Sequence, residues 1–116
     1  MMSMANNLRG QTTVQIGDDT HDVLLNMNAF RLMCQARDME LAALDEFVNA
    51  NPLEFVPTVV FWGMMNAADF AGTPRPEITF DRLAAVVCAD LEQFTQLSDA
   101  IGTSLGAATT DAKSGN

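Results

Sequence analysis

Basic side chains are scarce. Six Lys and Arg stand against 15 Asp and Glu, a net charge of −9 and a pI near 4.1. Binding nucleic acid through its phosphates needs a Lys/Arg surface, so this balance argues against that class and against an anionic membrane face. Cysteine is scarce too. Cys34 and Cys88 are the two present, far apart and each among apolar neighbours. One conceivable bridge makes no disulfide scaffold, so both are expected to be buried free thiols. There is no Cys-x-x-Cys, no histidine pair and no glycine-rich phosphate loop, and no metal or cofactor is expected. The start Met1-Met2-Ser3-Met4 lacks a basic segment followed by an apolar one, and no signal peptide is expected. The apolar stretch Val56 to Ala68 contains Pro57 and is too short to span a bilayer. A cytoplasmic protein is the expectation.

Apolar residues are abundant, 48% of 116, which suits one domain with a real core. Residues 1–10 are polar without period and read as a flexible arm. Thr12, Val14 and Ile16 alternate with polar neighbours, Gly17-Asp18-Asp19 signals a turn, and a second alternating run follows. This predicts a β-hairpin over 11–17 and 20–26. A lone hairpin is marginal in water. It needs a helix over one face, or a second copy on its edge, so self-association through that edge is open.

Helix signals fill the rest. Asn28 can cap a helix bearing Phe30, Met33 and Cys34, and Asp38 a second one bearing Leu41, Leu44, Phe47 and Val48. Asn51-Pro52-Leu53-Glu54 combines an N-cap, a first-turn proline and a capping-box glutamate. The helix it opens is apolar nearly all round, which predicts a buried central helix with Trp62 in the core and a kink at Pro57. Gly72 to Pro76 reads as a rigid loop. From Phe80 through Leu83, Val87, Leu91, Phe94, Leu97 and Ile101 to Leu105 every apolar step is three or four residues. One long helix or two collinear ones would produce that stripe. Residues 107–116 read as a disordered tail. The expected architecture is mainly α with a small N-terminal β-hairpin, an α+β helical bundle spanning 11–106.

Chemistry is sparse. The single histidine, His21, lies near Asp18, Asp19 and Asp22, but no motif supplies a nucleophile. Those acids also lack the alternation, central glycine and closing glutamate of a calcium loop. No catalytic residue is assigned, and the chain reads as a non-enzyme. The unusual feature is Phe61-Trp62-Gly63-Met64-Met65. Aromatics and methionines fill cores, but Met-rich surfaces also suit adaptable binding. Phe55, Phe61, Met64, Met65 and Phe70 are the candidate protein-binding residues, some of which must be core.

The order of elements then matters. Arg9-Gly10 leads into Val14-Gln15-Ile16-Gly17-Asp18-Asp19, then an Asn28-Ala29-Phe30-Arg31-Leu32 helix opening, the central Val59-Val60-Phe61-Trp62-Gly63-Met64-Met65 and a helical C-terminus. Over residues 9–105 this layout resembles the tail assembly chaperones of long-tailed bacteriophages and gene transfer agents. It departs from the commoner pattern in carrying Met33-Cys34-Gln35 where an acidic pair is expected. The resemblance implies a non-enzymatic factor that coats the tape measure protein and helps recruit tail tube subunits, in the host cytoplasm if phage-encoded. The other reading of this acidic chain is a small regulatory or inhibitory protein-binding module, for example a nucleic-acid-mimicking decoy.

Overall fold

The computed structural model describes residues 10–114. The expected arm lies, but for Gly10, outside the described residues. Strands β1 (Gln11–Ile16) and β2 (Asp19–Leu24) form an antiparallel hairpin, followed by helices α1 (Met27–Ala36), α2 (Leu44–Ala50), α3 (Pro52–Ala71), α4 (Phe80–Ala89) and α5 (Leu91–Ser114). A 3-10 turn, Leu41–Ala43, leads into α2. The α+β architecture expected from the sequence is the one observed, with helix far exceeding strand.

The hairpin turns through Gly17 and Asp18, and Gly17 alone of the two has positive φ (63°). That pattern is a type II′ turn, whose twist matches the flanking strands. Val14, Ile16 and Val23 point inward. α3 covers that face closely because Gly63 has no side chain. A Cβ there would sit 2.6 Å from Val23 Cγ1 and 3.0 Å from Leu25 Cδ2.

Turn chemistry at the next boundaries differs from the expectation. The cap of α1 is Asn26, not Asn28. The Asn26 side chain accepts from the backbone N–H groups of Asn28 (3.0 Å) and Ala29 (3.3 Å). Asp38 caps no helix start. It ends α1 in the left-handed region (φ 53°), with Asp38 N–H donating to Gln35 O and Met39 N–H to Cys34 O at 2.9 Å. This is a Schellman stop, and aspartate is one of the few residues besides glycine and asparagine that tolerate its backbone. Asn51 does precede α3, but its side chain makes no cap bond, and Glu54 pairs instead with Arg37 at 3.3 Å. Arg37 also lies over the Phe47 ring, 4.5 Å from its centroid, tying the end of α1 to α2 and α3.

α3 is central and touches α1, α2, β2, α4 and α5. Val56, Val59, Val60 and Met64 meet Phe30 and Met33 of α1, Leu83 and Val87 of α4, and Leu97 and Ile101 of α5 in one buried cluster. Pro57 sits within α3 without ending it. Lacking an N–H, it leaves the Leu53 carbonyl without its helical donor. The Cys88 thiol of α4 lies 3.9 Å from that oxygen. The stripe from Phe80 to Leu105 is two helices, divided at Asp90. The Asp90 backbone is extended, and its side chain accepts from Gln93 N–H at 3.1 Å to start α5. Leu91 falls at this break and is 79% exposed. As far as Ser114, the segment expected to be a disordered tail continues α5. Ala107, Ala108 and Ala112 favour helix, and neither Gly nor Pro interrupts 107–114.

Candidate functional site

The five candidate contact residues separate by burial. Phe55 and Met65 are buried, and Phe55 meets Phe47 edge-on at 5.8 Å. Phe61 is half-buried, edge-on to both Trp62 and Phe80. Met64 is buried by its neighbours, yet one side of it lines a surface groove. Phe70 is 55% exposed. An apolar helix surrounded by five elements hides most of its surface, and residue type alone could not say which face stays out. Two further expectations need correction. Trp62 is half-buried, packed against the core rather than inside it. Cys88 is exposed while Cys34 is buried, because Cys88 follows Val87 near the end of α4 and so stands about 100° round the helix from it. Burial pushes the Cys34 thiol pKa up.

The groove measures about 410 Å³. β2 forms one wall through Thr20, His21 and Asp22. The floor is the last part of α3: Met64, Ala67, Ala68 and Ala71. Thr73, Pro74 and Pro76 close the far side. That loop is held firmly. α3 ends at Gly72 in the left-handed conformation (φ 74°), and Thr73 N–H donates to Ala68 O at 3.0 Å. Arg75 forks onto Asp69, its Nε donating to Oδ1 at 2.9 Å and its Nη2 to Oδ2 at 2.6 Å. The guanidinium holds the Asp69 carboxyl below the usual carboxylate range, first through these hydrogen bonds and then through its charge. Arg75 thereby balances the charge of the ionised Asp69 outside the groove, while Asp18, Asp19 and Asp22 are exposed on the hairpin.

The two ends of the hairpin's edges are met by side-chain amides. Gln93 of α5 docks on β1, its Oε1 accepting from Gln15 N–H (2.7 Å) and its Nε2 donating to Gln15 O (3.2 Å). On β2, Asn66 Nδ2 donates to Leu24 O at 3.0 Å. The same Nδ2 donates to Asn26 Oδ1 at 2.8 Å, and Asn66 Oδ1 accepts from Asn28 Nδ2 at 2.7 Å. Asn66 is 2% exposed, so this cluster fixes α3 against the β2–α1 junction from inside. Sequence reasoning missed Asn66, Gly63 and Gln93. Asn66 and Gly63 did leave a signal, as the one amide and the one glycine within an apolar helical run. Gln93 left none.

His21 lines the groove, half-buried and paired across the ladder with Val14. Among the described residues no hydrogen bond joins its ring to a carboxylate, and no three His, Cys, Asp or Glu side chains converge as a metal site. No described helix is long and apolar enough to cross a membrane. Against known proteins, no family model, curated protein or solved structure matches this chain.

Proposed function

We propose that the protein works by binding another polypeptide rather than by catalysis, as a tail assembly chaperone of the long-tailed phage type. The observation that carries the binding half is the groove between β2 and the end of α3. Its floor is apolar and built of small side chains, its wall is a strand, and its rim is acidic. Surfaces of that kind take chain segments. The assignment to tail assembly rests on the order of elements that the sequence resemblance uses: hairpin, helix, apolar central helix, helical C-terminus. On this reading the client is the tape measure protein, kept from aggregating in the host cytoplasm while tail tube subunits are recruited. Met64 and Phe70 serve as contact residues, and Phe55 and Met65 hold α3 in place.

The test is co-expression with tape measure and tail tube proteins, followed by pull-down. The unmutated chain is expected to retain the tape measure protein, and Phe70→Ala combined with Ala71→Arg, both at exposed positions, to lose most of it. If the unmutated chain retains no tail protein, the chaperone assignment fails. Rim charges act mainly on association rate. Moderate salt should therefore slow association and leave most of the affinity. A steep collapse of affinity with salt would favour the acidic decoy instead.

A further inference from the structure

Antiparallel strands alternate residues whose N–H and C=O face the partner with residues whose groups face outward. The register Gln11↔Leu24 through Ile16↔Asp19, closed by a two-residue turn, makes Ile16–Asp19, Val14–His21 and Thr12–Val23 the hydrogen-bonded pairs. Gln15 and Leu24 then face outward, as their bonds to Gln93 and Asn66 require. By the same alternation Thr20 and Asp22 also turn their N–H and C=O away from β1. Both line the groove, and among the described residues neither backbone has a partner on that side. The edge beyond Leu24 is closed by Asn66; among the described residues the edge at Thr20–Asp22 is open.

We propose that this edge accepts an extended polypeptide segment, added to the hairpin as a third strand, with alternating small apolar and Lys/Arg side chains. The inference deepens the polypeptide-binding reading above and rests on it. Two outward residues on β2 match a guest of about four residues, at roughly 3.3 Å each. Guest side chains pointing inward would meet Met64, Ala67, Ala68 and Ala71. The alanines keep the floor low enough for a backbone to approach the strand edge. Guest side chains pointing outward would stand beside Thr20 and Asp22, and Asp22 carries no basic partner among the described residues. Charge selects against a second copy of this chain as the occupant. Pairing β2 with itself would bring two Asp19–Asp22 segments together between bodies of net charge −9.

The test uses the full chain, isotope-labelled, and a short synthetic peptide alternating lysine and valine. Its controls are the same peptide with alternate backbone nitrogens methylated, and a glutamate–valine version. The lysine–valine peptide should shift the amide signals of Thr20, Asp22 and residues 67–76, and protect Thr20 and Asp22 from hydrogen exchange. Methylation should weaken binding about tenfold or more, and the glutamate peptide should bind still less. Thr20→Pro removes an outward N–H without touching a ladder bond and should have the same effect as methylation. Equal binding of the methylated and plain peptides would overturn strand addition. Equal binding of the lysine and glutamate peptides would overturn the charge assignment. Failure of every peptide, or a dimer of the free chain that Thr20→Pro abolishes, would overturn the proposal as a whole. A failed tape measure pull-down with intact peptide binding would refute only the tail-assembly assignment.

Discussion

Replacing Asn66 by aspartate turns one nitrogen into oxygen and reverses the polarity of the cluster that joins α3 to the β2–α1 junction. In the wild type both Nδ2 hydrogens are used, one on Leu24 O and one on Asn26 Oδ1. Asn26 cannot turn its amide to compensate, because the same oxygen caps α1. A carboxylate at position 66 would set an anionic oxygen against the buried Leu24 carbonyl and against Asn26 Oδ1, which keeps its two bonds to the start of α1. Leu24 O would lose its donor, and a buried acceptor left unsatisfied costs about 1–3 kcal/mol. The penalty for a buried charge adds to that, so the ionised variant should lose about 4 kcal/mol or more, against a typical domain stability of about 5–15 kcal/mol. Protonated, the new carboxyl can donate to one of the two acceptors, and the loss should fall to about 1–2 kcal/mol. Its folded-state pKa must therefore lie above the unfolded value of about 3.9. A group raised in this way has its relative stability fully present below the unfolded pKa and loses it as pH rises through the folded one. A rise of about two pKa units corresponds to about 2.7 kcal/mol. Urea unfolding of wild type, Asn66→Asp and Asn66→Ala across acid to neutral pH measures this directly. The gap between wild type and Asn66→Asp should widen as pH rises, while the gap for Asn66→Ala stays level. A level gap for the aspartate variant, or one below about 0.5 kcal/mol at neutral pH, would refute the cluster's role.

Gly63→Ala should destabilise by about 1–2 kcal/mol in a thermal melt. The new methyl presses on Val23, a stiff β-branched side chain, and outweighs the gain of up to about 1 kcal/mol in helix propensity. Trp62→Ala should cost about 2 kcal/mol, less than a full core truncation, because the indole is only half-buried; a loss above about 4 kcal/mol would place it in the core after all. A thiol reagent applied to the native chain should modify Cys88 rapidly and Cys34 only on unfolding, and Cys88→Ser should abolish the fast phase.

Much of the fold was legible because it depends on repeating patterns. Alternation over 12–16 gave the hairpin, and the three-and-four spacing from Phe80 gave the last helices. What escaped was decided by groups without a period. Whether Asp38 starts or stops a helix depends on one backbone angle. Whether Leu91 is core depends on where Asp90 caps. For the candidate site, type and spacing singled out α3 but not which of its sides stays open. All of Phe55, Phe61, Met64, Met65 and Phe70 are apolar, and only the placement of α1, α2, α4 and α5 around α3 separates covered residues from open ones. The groove needs β2, the end of α3 and the Thr73–Pro76 loop at once, and no local window of sequence contains all three.

The same placement accounts for a two-stranded sheet outside its usual limits. Such a hairpin is marginal because one face and both edges need partners. Here α3 covers the face, with Gly63 as the point of closest approach. Gln93 takes both outward groups of Gln15, as a neighbouring strand's backbone would, and Asn66 takes the carbonyl of Leu24. A primary amide suits this task because it carries donor and acceptor in the planar arrangement of a peptide group. Its reach is one residue, so it can stop a strand's growth at a point without hiding the whole edge. Thr20 and Asp22 lie beyond that reach. At that stretch the chain has an apolar floor and acidic neighbours in place of another amide, and this difference is what separates a sealed edge from one able to receive a guest.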